Sequence, residues 1–188
     1  MSSPTRATPG DADRTNPSDR TDRSGGADDY IEASGVLVSV AGTVHDPGVV
    51  RAAGAHAAVT GGHLVVLAVL PNDAFVERQR ARAAVPELRR FALSEAEMER
   101  RHVARRAARR ALGGVDVPVT VVGAVGREPD HVLATAREHG CDHVFLADRP
   151  APGRALTRDT LSAVCERFEG PVTVLSERDG ESDRPTPL

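Results

Sequence analysis

Five short valine-rich runs, Gly35 to Val40, His63 to Leu70, Val117 to Val122, His143 to Ala147 and Pro171 to Leu175, are separated by segments long enough for a helix. Runs this short and this continuously apolar suit strands covered on both faces. Strands alternating with helical segments build a parallel sheet with crossover helices. Because crossovers are right-handed, few windings remain for β-α-β-α-β-α-β-α-β. The expected architecture is α/β, a three-layer, doubly wound, five-stranded parallel sheet in the order 3-2-1-4-5. Its strand order reverses between the first and fourth strands, and ligands bind in the crevice outside the carboxyl ends of the strands at such a reversal. The loops Ala41 to Asp46 and Asp148 to Arg158 should meet there.

Helical periodicity fills the gaps. Val50, Ala53, Ala57 and Thr60 recur at helical spacing, and Gly61-Gly62 ends that segment. In the long second connection a helix should start at Ser94, because Ser94 and Glu97 have the spacing of a capping box. Val103, Ala104, Ala107, Ala108, Ala111 and Leu112 form one stripe of this helix, with Arg101, Arg105, Arg106, Arg109 and Arg110 opposite. The next helix follows Pro129, turns Val132, Leu133 and Ala136 inward and stops at Gly140. The last, about Asp159 to Phe168, directs Leu161, Val164, Cys165 and Phe168 to the core. Between Pro71 and Leu93, Phe75, Val85, Leu88 and Phe91 are enough to fold back as a short helix, which reads either as a lid over the crevice or as a linker.

The chain has 188 residues, room for one domain of ordinary size. Met1 to about Gly26 contains no Val, Ile, Leu or Phe, so this stretch cannot bury enough apolar surface to offset chain entropy. The expected organisation is a disordered tail over 1–34, one domain over 35–177 and a second disordered tail over 178–188. A net charge of -3 gives no whole-chain attraction to nucleic acid or to a membrane. The longest apolar run is too short for a membrane span, and the polar N-terminus has no signal-peptide stretch, so the expected location is the cytoplasm. Cys141 and Cys165 lack metal or redox spacing and read as small buried hydrophobes.

On its residues and their order, the chain resembles the universal stress protein family. GVLVSVAGTVHDPGVVRAAGAHA is similar to that family's opening strand, Asp-Gly-Ser loop and first helix, with Gly42 and Thr43 at the Gly-Ser positions. GREPDHVLATAREHGCDHVFLA is similar to its third helix and fourth strand, and RDTLSAVCERFEGPVTVL to its last helix and strand. The resemblance implies a Rossmann-like fold of the adenine nucleotide alpha hydrolase type and a homodimer made by the final strand, Pro171 to Leu175.

Nucleotide-binding members have an aspartate in the first loop and a glycine motif, G-x2-G-x9-G-[ST], after strand four. Here Ala41 stands at the aspartate, Ala147 and Pro150 at the first two glycines, and Arg158 and Asp159 at the final pair. The stretch from Ala147 to Arg158 is two residues shorter than that motif. Those glycines let backbone N–H groups close on phosphate at a helix N-terminus, so the departures argue against ATP binding of the family kind. An altered mode remains: Arg149, Arg154 and Arg158 could hold an anion, with Gly153 as the bend. The candidate nucleotide-binding set is therefore Ala41, Gly42, Thr43, Val69, Gly126, Ala147, Arg149, Gly153, Arg154, Arg158, Asp159 and Thr160, with ATP or AMP as the ligand if one binds.

Other constellations carry less. Glu77 to Arg110 holds eleven arginines against five glutamates, but its one aromatic residue, Phe91, makes no interleaved series to stack bases. A solvated helix face is the simpler reading than nucleic-acid binding. The seven histidines share no metal-binding face, since His139 and His143, spaced H-x3-H, straddle a helix and a strand, and there is no GxSxG elbow or GxxxxGK[ST] loop. The leading expectation is a non-enzymatic stress-response or regulatory module acting through dimerisation and an unidentified protein partner. The alternative is a nucleotide-binding switch or weak ATPase using the arginine-containing loop.

Overall fold

In the computed structural model the elements follow as β1 (Gly35–Val40), α1 (Asp46–Val59), β2 (His63–Leu70), α2 (Asn72–Ala83), α3 (Leu93–Ala111), β3 (Val119–Val125), α4 (Glu128–Glu138), β4 (Cys141–Ala147), α5 (Arg158–Arg167) and β5 (Val172–Leu175). The structure describes residues 34–85, 91–147 and 158–175, without the side chains of Arg158 and Asp159. All strand pairs are parallel and the order is β3-β2-β1-β4-β5, the winding expected from the sequence. Apart from Ser34, whose carbonyl accepts from His63 N–H, the proposed tails lie outside the described residues, as does Leu88.

Strand composition accounts for the layering. Every residue of β1 is buried, as is every residue of β2 after His63, because helices cover both faces of these central strands. Val36, Val38 and Val40 point to one face, packing with Val50, Ala53 and Ala57 of α1 and Ala104, Ala107 and Ala108 of α3. Leu37, Leu67 and Val69 point to the other, against Val132 and Ala136 of α4 and Val164 of α5. The small residues of α3 let its backbone come down on the sheet: a Cβ on Gly123 of β3 would run into the Glu97 carbonyl oxygen and the Arg101 amide nitrogen. Five of its six arginines, at 101, 105, 106, 109 and 110, are exposed, opposite the buried stripe.

Several sequence expectations need correction. α3 starts at Leu93 after an Ala92 cap and has no side-chain capping bond, so the Ser94/Glu97 box does not form. Thr60 lies past the end of α1, where its hydroxyl donates to the His56 carbonyl at 3.0 Å and fixes the helix end rather than filling the core. The third strand runs from Val119 to Val125, because its register against β2 continues through Ala124 and Val125. Cys165 is exposed, not buried; α5 turns Val164 inward, with Leu161 and the following Phe168 partly buried against the same core. Cys141 is buried, and burial, reinforced by the neighbouring Asp142, pushes its thiol up to about 11. The Pro71 to Leu93 segment does form a helix, α2, which seats Ala74 and Phe75 with Phe91, Leu70, Val125 and Ala96 at the β2/β3 end. No described helix is long and apolar enough to cross a membrane.

Candidate functional site

The crevice at the carboxyl ends of β1 and β4 is built on the loop Ala41 to His45 and the start of α1. Gly42 takes φ +90°, a conformation glycine reaches without strain, and the loop then turns into a helix whose first turn contains Pro47. The residue controlling this turn is Asp46. Its buried carboxylate accepts from the backbone N–H of Ala41 at 3.3 Å, of Gly42 at 2.6 Å and of Thr43 at 2.9 Å, and from the Thr43 hydroxyl at 3.0 Å. Backbone donors at a helix start form a natural anion cradle. Here an anion from the chain itself takes them up.

Behind the loop, on the opposite face of β1, the buried Ser39 hydroxyl donates to the Glu128 carboxylate at the start of α4. This bond ties the end of β1 to the helix that follows β3. Gly126, the turn residue between β3 and α4, has φ +153° and packs against the ring of His131, whose Nε2 lies 3.0 Å from the Val125 carbonyl oxygen. The imidazole thus fills the space beside the Gly126 Cα. On the α3 side, a cavity of ≈120 Å³ separates Gly42, Thr43 and Asp46 from Val103, Arg106 and Arg110.

Of the sequence-predicted set, the fold brings together Ala41, Gly42 and Thr43 in one loop, with Ala147 at the end of β4, next to β1 in the sheet. Val69 is buried among the α4/α5-facing side chains, and Ala147 and Thr160 are buried as well. Arg158 and Asp159 open α5, and their side chains lie outside the described residues. Arg149, Gly153 and Arg154 lie outside them altogether, as does Pro150. Sequence reasoning missed Asp46, Ser39, Glu128 and His131. Two signals were available: an aspartate directly before a proline at a helix start, and a lone serine inside an apolar run. No group of three His, Cys, Asp or Glu among the described residues could hold a metal ion.

The universal stress protein family model matches residues 34–176. Among solved structures, a universal stress protein in complex with cAMP is 16% identical, with 77% of this chain and 97% of that one covered and a TM-score of 0.52. A protein of the universal stress protein family from Burkholderia pseudomallei is 18% identical, with 76% and 96% covered and a TM-score of 0.51. A universal stress protein from Archaeoglobus fulgidus in complex with dAMP is 14% identical, with 75% and 96% covered and a TM-score of 0.43. At such identities the first two likenesses are ones of fold. No curated protein matches the chain in sequence. The matched span takes in every described strand and helix from β1 to β5, and the chain belongs to the universal stress protein family.

Proposed function

We propose that this protein is a non-enzymatic stress-response or regulatory module that acts through homodimerisation and partner binding, without ATP binding of the family kind. The observation that carries the reading is the bonding of Asp46. Any ligand that needs the first loop's backbone donors would have to displace a hydrogen-bonded carboxylate, and an anionic one would also face its negative charge. Ala41 offers no side-chain polar group in place of the aspartate found in nucleotide-binding members. The ring of His131 beside Gly126 narrows the crevice further. β5 supports the dimer, since it is an outer strand with Val174 38% exposed, open to pairing with a second copy.

One observation favours the alternative, a nucleotide-binding switch or weak ATPase. Arg106 and Arg110 line the small cavity beside Gly42 and Thr43, where a guanidinium could receive phosphate. Calorimetric titration with ATP and AMP, on the wild type and on Asp46→Ser, separates the two. The expected result is no heat from the wild type up to millimolar nucleotide. Micromolar binding by the wild type would overturn the reading and put the switch in first place. Binding gained only by Asp46→Ser would show that the carboxylate alone closes the loop.

A further inference from the structure

We propose that the outer edge of β3, with the groove beside it, takes an extended segment of another protein carrying an apolar residue with a carboxylate two positions away. Among the described residues β3 pairs on one side only, with β2. Leu64 N–H donates to the Pro118 carbonyl at 2.9 Å and Gly126 N–H to the Leu70 carbonyl at 2.9 Å, so even-numbered residues turn their backbone groups toward β2. Alternation along the strand then directs the N–H and C=O of Val119 and Val121 outward, with both side chains on the α3 face.

The groove arises from how α3 crosses this strand. Helix and strand backbones touch at Gly123, whereas toward the start of β3 they leave a groove of ≈390 Å³. Ala108, Leu112, Val119 and Val121 line its apolar part, and Arg105 and Arg109 stand beside them. Val119 is 41% exposed. A strand added to β3 would lie ~4.8 Å away and turn every second side chain toward this face. An apolar side chain would rest on Leu112, Val119 and Val121. Carboxylates two residues to either side would reach the arginines, which recur every four residues along α3 as Arg101, Arg105 and Arg109.

Charge decides the occupant. A second copy of this chain, paired here about a two-fold axis, would set its own Arg105 and Arg109 against these, and like charges facing one another across a sheet are destabilising. A foreign acidic strand meets no such opposition. The inference names a partner class for the module proposed above and rests on that reading, but the two fail separately. Nucleotide binding would overturn the function and leave the groove untouched.

The test uses the full chain and a fluorescent peptide, Ser-Glu-Thr-Val-Thr-Glu-Ser, read by anisotropy and by amide NMR shifts. The expected result is submillimolar binding that shifts the amides of Val119 and Val121 and weakens with salt. Replacing both glutamates of the peptide by lysine, or making Arg105→Glu with Arg109→Glu, should weaken binding by roughly tenfold or more. Val121→Pro should do the same, since it removes an outward N–H and leaves the ladder to β2 intact. If that variant does not fold, the arginine pair on its exposed helix face carries the test. Any of four results overturns the proposal: no binding at millimolar peptide; equal binding of the lysine peptide; Val119 and Val121 amides already protected from exchange in the unliganded chain, which would mean a segment of this chain fills the edge; or self-association abolished by Val121→Pro, which would identify a second copy.

Discussion

His143 of β4 bridges two elements on the α1 face of the sheet: its Nδ1 lies 3.1 Å from His56 Nε2 of α1, and its Nε2 lies 2.8 Å from the Thr173 hydroxyl of β5. The ring also stacks on Phe145, with centroids 4.6 Å apart. Burial first, and then the His56 charge, hold the imidazole below its ordinary range, while Asp142 opposes them. Since the folded state binds the proton more weakly than the unfolded chain, this contribution is complete above the unfolded value of about 6.5 and is lost as pH falls from there through the lower folded value. The melting temperature should therefore drop between pH 7.5 and 5.5, and His143→Gln should lessen that slope. Identical slopes in both proteins would show that the histidine pair does not report on folding. None of this was visible in the spacing of the histidines, because His56 and His143 are 87 residues apart and meet only through the parallel pairing of β1 with β4.

At the scale of elements, the buried face of α3 was legible and its start was not. The stripe on α3 from Val103 to Ala111 is buried as its periodicity required, since side chains three and four residues apart share one face whatever the surroundings. Its start was misread because a capping box is a matter of local geometry, and the chain enters α3 through an extended Ala92 instead. At Gly123 the backbones of α3 and β3 come into contact. Gly123→Ala should destabilise the protein by about 1–3 kcal/mol in urea unfolding, because the obstructing atoms are helix backbone that no rotamer change can move. A loss under about 0.5 kcal/mol would mean that α3 can slide. That Gly42 and Thr43 lie in the loop after β1 was legible from sequence, whereas the bonding of Asp46 depends on three N–H groups converging once the loop has folded.

Across the whole molecule, the two outer strands differ in what lies beside them. β3 has arginines next to its edge, which disfavours self-pairing, while β5 presents Val172 and Val174. Pro171 C=O accepts from Val144 N–H at 3.0 Å, so alternation turns the backbone groups of Val172 and Val174 away from β4. Light scattering at micromolar concentration should give twice the chain mass of 19.8 kDa, and Val174→Lys should move the protein toward the monomer. A wild type of single-chain mass would remove assembly through β5 from the proposed function.

By itself the sequence determined the fold class, the strand order and the buried faces of α3 and α4, because apolar period, chain length and the handedness of crossovers act locally or leave few alternatives. Only the tertiary structure decided that Asp46 occupies the loop donors, that His131 closes on Gly126, that Ser39 meets Glu128, and that α3 leaves an arginine-flanked groove at β3. Each of these joins groups that chain spacing leaves unrelated or that converge only when the backbone turns. Their geometry exists once the sheet has set the distances.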